Sequence, residues 1–240
     1  IRAAQESRGL GDVYKRQMHY YNNDGSDAEL CVNGVRCVAK FALDNNYLNI
    51  DRFIVKAPVG DLEVYVDDNI VEVSTPIPTY EEEKINVNSF EGVKSSVGNP
   101  HFMIEVEDVD GLDLESLNSD VVNENIFPEG VNVEIYQIVS RNYIKARVFE
   151  RGVGETDACG SGALCMFNYL NKTDQIDNNT FVMYPGGDLN LRIENDKLSK
   201  KVKIILETPA GKGSQIGTTL PEFTMMWNMF HFWEQDIIVH

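Results

Sequence analysis

Residues 150–165 read ERGVGETDACGSGALC, and this stretch joins two runs of different periodicity. Residues 144–149 precede it, with Ile144, Ala146 and Val148 on one side of an alternating pattern that is typical of a strand. Residues 163–170 follow it and are compatible with a helix, and four glycines lie between the two runs. The stretch therefore predicts a strand, a tight turn and a helix that starts near Cys159.

The start of a helix is a distinctive chemical environment, because its first backbone N–H groups have no partner within the helix. Such a terminus attracts anions and lowers the pKa of a thiol from about 8.5 into roughly the 3.5–7.5 range. Cys159 is therefore a candidate thiolate beside a pocket suited to a carboxylate. The alternative is a small buried cysteine in a glycine-rich turn, and this stretch alone leaves both interpretations open.

A second stretch, residues 22–37, has the same pattern. Cys31-x-Asn33-Gly34-x-x-Cys37 matches Cys159-x-Ser161-Gly162-x-x-Cys165, with an offset of 128 residues from 31 to 159 and from 37 to 165. Helix-compatible residues follow here too, at 38–43. A pattern that recurs after about half the chain predicts two similar halves.

If the two halves pair about a pseudo-twofold axis, Cys31 and Cys159 face each other across one cleft. Cys37 and Cys165 lie further into the helices and are expected to pack in the core. Two facing thiols suit one reaction, in which one removes a proton from a carbon and the other delivers a proton to the opposite face. The product is the inverted stereocentre, and the helix starts would hold the carboxylate of the substrate.

The chain resembles the diaminopimelate epimerase family over roughly residues 19–210. Several separated motifs carry the resemblance in the family's order: Asn22-x-Asp24-Gly25-Ser26, Cys31-x-Asn33-Gly34-x-Arg36-Cys37, Gly98-Asn99-Pro100-His101, Glu150-Arg151-Gly152-x-Gly154-Glu155-Thr156-x-Ala158-Cys159-Gly160-Ser161-Gly162, and Pro185-Gly186-Gly187. A single glycine-rich turn would not be specific, whereas this ordered set is.

The resemblance implies an α+β fold with two pseudo-symmetric halves. Each half would be a curved, mostly antiparallel, barrel-like sheet wrapped around a central helix. It also implies a cofactor-independent isomerase that interconverts LL- and meso-2,6-diaminopimelate, on the route to lysine and peptidoglycan precursors. Neither pyridoxal phosphate nor a metal would take part.

The family's site residues can be transferred to matching positions of this chain. Cys31 and Cys159 would be the acid–base pair, and His101 and Glu150 would orient and polarise them. The remaining residues would bind substrate through side chains at Asn22, Asn99, Asn132, Glu150 and Arg151, and through backbone N–H groups at Val32, Asn33, Gly160 and Ser161. From the residues alone, His101 could instead be structural, and Asn132 could make a cross-strand hydrogen bond.

Two departures from the family pattern bear on binding. Val32 stands where the family usually has Gly, and a valine is a poor fit if this position needs a positive φ. Residues 1–17 lack the family's opening strand and its substrate-contacting Asn and Gln. Both departures predict weaker substrate binding, or no activity, in this chain.

The positions of the motifs and the shifts in composition divide the chain into four segments. No strand or helix is assigned to residues 1–17, which we expect to be a non-native leader. Residues 18–92 form the first half, truncated at its start, and residues 93–211 the second, with the boundary near Gly92. Residues 212–240 are an atypical tail rich in aromatic residues and Met. The tail reads either as an amphipathic interface helix or as a core-seeking or out-of-frame segment.

Within the halves, the local patterns predict individual elements. Residues 53–73 alternate as an antiparallel meander, and residues 93–106 restart a strand pattern. A short helix is predicted over residues 109–123, a strand over 131–135, a hairpin over 181–192 and a last strand over 202–207.

Composition narrows the possible partners. The chain carries 21 Lys and Arg against 38 Asp and Glu, a formal charge of −17, which argues against nucleic acid. No apolar run reaches the ~20 residues of a membrane span. Four cysteines in a chain without a recognisable secretory leader favour the cytoplasm. The expected partner is a small-molecule substrate, and the sequence leaves a homodimer open.

Three rival interpretations remain. Proline, hydroxyproline and histidine racemases of the same fold use the same paired-thiol chemistry, although Asn22, Asn99 and Asn132 favour a longer polar substrate. Four cysteines in two Cys-x5-Cys pairs could bind zinc, although this spacing is wider than usual. A catalytically silent fragment is the third.

Overall fold

The computed structural model describes residues 15–17, 19, 29–68, 70–123, 126–128, 130–195 and 202–209. Within these ranges the chain forms three helices and fourteen strands. The helices are α1 Val32–Asp44, α2 Leu114–Asn123 and α3 Gly160–Lys172. The strands are β1 Lys15–Gln17, β2 Arg52–Ala57, β3 Gly60–Asp67, β4 Ile70–Thr75, β5 Thr79–Tyr80, β6 Ile85–Val87, β7 Phe90–Ser96, β8 Pro100–Glu105, β9 Asn132–Ser140, β10 Tyr143–Glu150, β11 Gly154–Thr156, β12 Asn179–Tyr184, β13 Gly187–Asn195 and β14 Val202–Pro209.

All fourteen strands belong to one mixed sheet. Its main path runs β1-β2-β3-β4-β14-β13-β12-β10-β9-β8-β7-β5, while β11 pairs with β10 and β6 pairs with β7. Three pairs are parallel, β1 with β2, β8 with β9 and β10 with β12, and the other pairs are antiparallel. The predicted α+β class with a mostly antiparallel sheet is confirmed.

The first half of the sheet packs around α1. Phe53, Val55, Leu62, Val64 and Val66 alternate with more exposed residues along β2 and β3, and all five are buried. α1 contacts β3 and β4 with the face that carries Val35 and Ala39. The predicted meander over residues 53–73 therefore forms, because its period-two pattern provides one apolar face for a helix.

The second half has a buried helix on one face of its sheet and α2 on the other. Residues 160–170 of α3 are all buried, as expected of a central helix. Tyr136 of β9 joins the core around α3, whereas Val133 and Ile135 join a second apolar cluster with Leu114 and Leu117 of α2. Because side chains alternate along a strand, even-numbered positions of β9 face α3.

The predicted helix over residues 109–123 begins later than expected, at Leu114. Asp113 explains the start, because its Oδ1 accepts a hydrogen bond from the backbone N–H of Ser116 at 3.1 Å. This is the contact that an N-cap side chain makes. The predicted hairpin around Pro185-Gly186-Gly187 is present as β12 and β13, and the last predicted strand is β14.

β14 joins the two halves. It pairs with β13 on one side and with β4 on the other, both antiparallel, so that residues from the end of the second half complete the sheet of the first. The predicted boundary near Gly92 lies inside β7, and β5 and β6 also pair with β7. Strands from Thr79 onward thus pair on both sides of the predicted boundary.

The termini differ in part from expectation. Lys15–Gln17, to which the sequence pattern assigns no element, pair in parallel with β2, a backbone interaction that needs no apolar alternation. Residues 1–14 and the whole tail at 212–240 lie outside the described residues. Among the helices of the described part, none is both long and apolar enough to cross a membrane.

Candidate active site

Cys31 and Cys159 cap two helices in the same way. Cys31 precedes α1 with φ −124° and ψ 95°, and its Sγ accepts from the N–H of Gly34 at 3.2 Å. Cys159 precedes α3 with φ −125° and ψ 110°, and its Sγ accepts from the N–H of Gly162 at 3.4 Å. The repeated sequence pattern therefore corresponds to a repeated local structure, with a sulfur at each helix N-terminus.

The two helix starts lie against each other. A Cβ atom added to Gly160 would stand 3.0 Å from Cβ of Val32 and 3.5 Å from Oδ1 of Asn33. Val32 is helical and buried, and it is not among the described non-glycine residues with positive φ. A valine thus fits this backbone without strain, and its side chain fills the space beside Gly160.

A chain of polar side chains leads from Cys159 into the sheet. Sγ of Cys159 lies 3.3 Å from Oγ of Ser161, and Oγ of Ser161 lies 3.1 Å from Nε2 of His101. Nδ1 of His101 lies 3.1 Å from Oε1 of Glu134. His101 and Glu134 are completely buried, and Cys159 is 4% exposed. The structure thus connects His101 to Cys159 through the Ser161 hydroxyl.

Glu134 is a site residue that the sequence analysis missed. Besides His101, its carboxylate binds Tyr184, whose hydroxyl lies 3.1 Å from Oε2 of Glu134 and 3.2 Å from the carbonyl oxygen of Cys159. The available signal was position: Glu134 follows Asn132 by two residues in a predicted strand, so both side chains share a face. Nothing local singled out Tyr184, which precedes the Pro185-Gly186-Gly187 turn.

The asparagines make different contacts. Nδ2 of Asn99 donates to Oγ of Ser161 at 3.0 Å, and its Oδ1 is buried without a hydrogen-bond partner among the described residues. Oδ1 of Asn132 accepts from the backbone N–H of Arg151 at 2.8 Å, the cross-strand alternative considered for this residue. Asn132 therefore holds the backbone that carries Arg151. Asn22 lies outside the described residues.

Arg151 reaches toward the first half of the chain. Its Nη2 lies 3.8 Å from Oε2 of Glu29, and both side chains are partly exposed to solvent. Gly130 packs beneath it, since a Cβ atom there would stand 2.9 Å from Cδ of Arg151. The guanidinium thus lies at the rim of the site, next to the helix start that Cys31 caps.

Glu150 is held at the end of β10 by the hydroxyl of Thr156, which donates to its Oε1. Burial raises the pKa of the Glu150 carboxyl, against the lowering effect of the Thr156 hydrogen bond, and the nearby Glu134 carboxylate raises it further. The Glu150 carboxyl therefore keeps its proton to a higher pH than an exposed glutamate does. The same site contains a second carboxylate, that of Glu134.

The electrostatic environment of Cys159 reverses the expected direction of its pKa. Burial raises the pKa of the Cys159 thiol well above its usual value, and the charges of Glu150 and Glu134 add to this. The contact with the Ser161 hydroxyl and the hydrogen bond from the N–H of Gly162 act in the opposite direction and are weaker. The expectation of a lowered pKa was wrong, because desolvation and two carboxylates outweigh the helix terminus.

The other two cysteines cap no helix. Burial raises the pKa of Cys37 to about 11 and that of Cys165 to about 12, so both remain neutral thiols. Cys165 lies in the core around α3, as predicted, whereas Cys37 is only partly buried and does not join that core. Across the described ranges, one group of three side chains has potential metal-ligand atoms close together. It consists of His101, Glu134 and Cys159, whose atoms lie within 4.8 Å of one another. The four cysteines do not form the zinc cluster considered above.

Taken together, the geometry supports proton transfer. One buried sulfur is linked to an imidazole through a hydroxyl, a second sulfur caps the neighbouring helix, and the first turns of the two helices are in contact through Val32 and Gly160. These are the parts that acid–base chemistry next to a carboxylate needs.

Comparison with known proteins is consistent with this geometry. A family model described as diaminopimelate epimerase matches residues 93–209. A diaminopimelate epimerase of Brachyspira hyodysenteriae is 38% identical over 209 residues, which cover 77% of this chain and 74% of that protein. The diaminopimelate epimerase of Methanothermobacter thermautotrophicus is 34% identical over 213 residues, which cover 80% and 73%.

Solved structures of low sequence identity share the fold. A hydroxyproline epimerase from Agrobacterium vitis aligns with a TM-score of 0.63 at 11% identity, over 80% of this chain and 67% of that one. A phenazine biosynthesis protein of the PhzF family from Bacillus anthracis aligns with a TM-score of 0.61 at 16% identity, over 80% and 76%. At these identities the likeness concerns architecture only.

Proposed function

The chain belongs to the diaminopimelate epimerase family, and we propose that it interconverts LL- and meso-2,6-diaminopimelate by proton transfer at one α-carbon. The observation that carries the proposal is the pair of cysteine-capped helix starts in contact at Gly160 and Val32. We infer that this pair places a sulfur on each side of one cleft. The family's place in lysine and peptidoglycan precursor synthesis, and a cytoplasmic location, follow as parts of the proposal.

In the proposed mechanism, Cys31 and Cys159 are the acid–base residues. The thiolate of Cys31 takes the α-proton, so that the C–H bond breaks and an S–H bond forms. The electron pair left on carbon then takes a proton from the thiol of Cys159 on the opposite face. We assign the donor role to Cys159 because burial and nearby carboxylates raise its pKa, which keeps the resting thiol protonated. The other isomer reacts with the roles reversed.

Charge that develops during proton removal would be stabilised by the helix starts. Backbone N–H groups of Val32, Asn33, Gly160 and Ser161 would hold the reacting carboxylate, whose oxygens become stronger hydrogen-bond acceptors as the α-proton leaves and negative charge spreads onto them. His101 would polarise Cys159 through Ser161. Glu150, at the end of β10, would help to orient and polarise the two cysteines. This scheme uses two thiols and requires no pyridoxal phosphate.

The far end of the substrate would be recognised by polar groups at the rim. The buried, unpartnered Oδ1 of Asn99 can accept from an ammonium group, and Arg151 can bind a carboxylate by two parallel hydrogen bonds. Glu29, now 3.8 Å from Arg151, would give way to that carboxylate. Asn132 would orient Arg151 through its backbone N–H, and Asn22 would add a further contact.

The test is stereochemical inversion in deuterated water. We expect the chain to convert LL-diaminopimelate to the meso form with uptake of deuterium at the α-carbon, at a raised KM because residues 1–17 lack the family's opening Asn and Gln. Cys31→Ala and Cys159→Ala should each reduce turnover at least about a hundredfold, since acid–base groups contribute roughly 10²–10⁴-fold. Cys37→Ala is the matched control and should retain turnover. Near-normal inversion by either active-site variant would contradict the two-thiol mechanism.

The same assay separates the rival functions. Lysine lacks the distal carboxylate and should lose about 2–3 kcal/mol of transition-state binding, the value of a hydrogen bond to a charged group. Proline and histidine should be turned over as poorly. Comparable turnover of any of the three would move the assignment to another racemase of this fold, and binding without turnover would indicate a silent relative.

A further inference from the structure

Glu134 is an unusual residue for the interior of a sheet. Its side chain is completely buried in β9, between Val133 and Ile135, which pack in an apolar cluster. Its carboxylate is pressed against α3, since a Cβ atom added to Gly162 would stand only 1.9 Å from its Oε1. A buried carboxylate is unfavourable by several kcal/mol unless it is paired and hydrogen-bonded.

The first set of contacts leads to the sulfur of Cys159. A carboxylate only accepts hydrogen bonds, so the contact with Nδ1 of His101 places the imidazole proton on that nitrogen. In a neutral imidazole, Nε2 is then left to accept from the hydroxyl of Ser161. The hydroxyl oxygen lies 3.3 Å from Sγ of Cys159 and can accept from the thiol. Glu134 thus selects the His101 tautomer that suits this order of donors.

The second set of contacts leads to the backbone of the same residue. The Tyr184 hydroxyl lies within hydrogen-bond distance of both Oε2 of Glu134 and the carbonyl oxygen of Cys159. Tyr184 is buried at the end of β12, directly before the turn to β13. One carboxylate is therefore connected to Cys159 in two ways, to its sulfur through His101 and Ser161, and to its carbonyl through the Tyr184 hydroxyl proton that both oxygens share.

We propose that Glu134 and Tyr184 are positioning residues for the reaction, which align Cys159 and set the tautomer of His101. The inference rests on the proposed proton-transfer function and extends its machinery to two residues outside the family motifs. Neither side chain would touch substrate. Both act through Cys159, whose position must be held within a fraction of an ångström for efficient proton transfer.

The groups that surround Cys159 make a specific readout possible. His101 lies near it on β8, Glu134 on β9, Glu150 on β10 and Tyr184 on β12, while the start of α1 packs beside it through Val32. Glu134 is one of two carboxylates whose charge raises the pKa of Cys159. Removing that charge, without changing the shape of the side chain, should therefore make the thiol easier to ionise.

Two variants separate charge from position. Glu134→Gln keeps the shape and removes the charge, whereas Tyr184→Phe keeps the charge and removes the hydroxyl that binds the Cys159 carbonyl. Glu72→Gln and Tyr143→Phe are matched controls in the same sheet. Glu72 lies in β4 and binds Arg192, and Tyr143 lies in β10 and stacks on Phe181.

The experiment measures kcat and KM for diaminopimelate, and the pH dependence of alkylation of each cysteine by iodoacetamide, followed by peptide mass spectrometry. We expect kcat to fall about tenfold or more in Glu134→Gln and Tyr184→Phe, with KM changed less than about twofold. The alkylation midpoint of Cys159 should move down by about half a pH unit in Glu134→Gln and remain in place in Tyr184→Phe. The alkylation midpoint of Cys31 should stay unchanged in both variants.

Two results would overturn the inference: a kcat in both variants equal to that of the controls, or a Cys159 midpoint that Glu134→Gln leaves in place. If Glu134→Gln does not fold, the kcat of Tyr184→Phe alone tests the inference, and a value equal to that of Tyr143→Phe would overturn it. If the unmodified chain does not invert diaminopimelate, the proposed function fails. The alkylation midpoints then still decide whether Glu134 controls Cys159.

Discussion

Gly162 shows how a single residue can be required by a side chain from another element. It lies in the first turn of α3, where a Cβ atom would stand 1.9 Å from Oε1 and 2.3 Å from Cδ of Glu134. Glu134 cannot withdraw easily, because His101 and Tyr184 hold both of its oxygens. The absence of a side chain at Gly162 is therefore what lets the carboxylate reach beneath the Cys159 cap.

We expect Gly162→Ala to lower the free energy of unfolding by about 1–3 kcal/mol, the usual range for overpacking a tight site. Urea denaturation followed by circular dichroism measures it. The same change made in a Glu134→Ala background should be less destabilising, because the colliding carboxylate is gone. Gly160→Ala serves for comparison, since its Cβ would stand 3.0 Å from Val32 and should be tolerated better. Equal losses in both backgrounds would show that the collision is not the cause.

Among the elements, β14 has the largest structural consequence. It lies between β13 and β4, and thereby connects strands from the two halves by backbone hydrogen bonds. Leu206, opposite Val73 of β4 and Leu191 of β13, is completely buried in the core. Without this strand, both neighbours would present unpaired edges, which is unfavourable in water and promotes association with other chains.

Truncation of this strand's central side chain should therefore destabilise both halves together. We expect Leu206→Ala to lower the free energy of unfolding by about 2–5 kcal/mol, as large-to-small core changes do. Val139→Ala, at an exposed apolar position near the end of β9, should change it by less than about 0.5 kcal/mol. Two separate urea transitions in Leu206→Ala, with only one of them shifted, would contradict the role of β14 as the connection.

At the level of the whole molecule, the candidate active site lies where the halves meet. α1 belongs to the first half and α3 to the second, and their first turns touch through Val32 and Gly160. Neither half by itself brings two cysteine-capped helix starts together. A redox experiment tests this arrangement without any assumption about the substrate.

Mild oxidation should join Cys31 to Cys159 by a disulfide and abolish activity, and a reductant should restore both. A disulfide needs Cα atoms no more than about 7 Å apart, which contact between the helix starts makes possible. Non-reducing peptide mapping identifies the link, and Cys31→Ala should prevent it. Detection of Cys31–Cys37 or Cys159–Cys165 links alone would count against the facing arrangement.

The features that the sequence by itself determined are local ones. Cys31 and Cys159 could be recognised as helix starts because an N-cap is defined within three residues, by a side chain and the N–H of Gly34 or Gly162. The meander over residues 53–73 and the last strand could be predicted for the same reason, since alternation along one segment decides which face is buried. The recurrence of the cysteine pattern around Cys31 and Cys159 could also be recognised from the sequence.

Other features were decided by tertiary structure alone. Glu134 reaches His101 across 33 residues of chain and Tyr184 across 50, so no short pattern could connect them. The pKa of Cys159 was predicted to fall from its helix terminus but is raised, because burial and two carboxylates from β9 and β10 exceed the effect of one terminus. A local backbone can place a thiol at a helix start, whereas its desolvation and its charged neighbours depend on how distant strands pack around it.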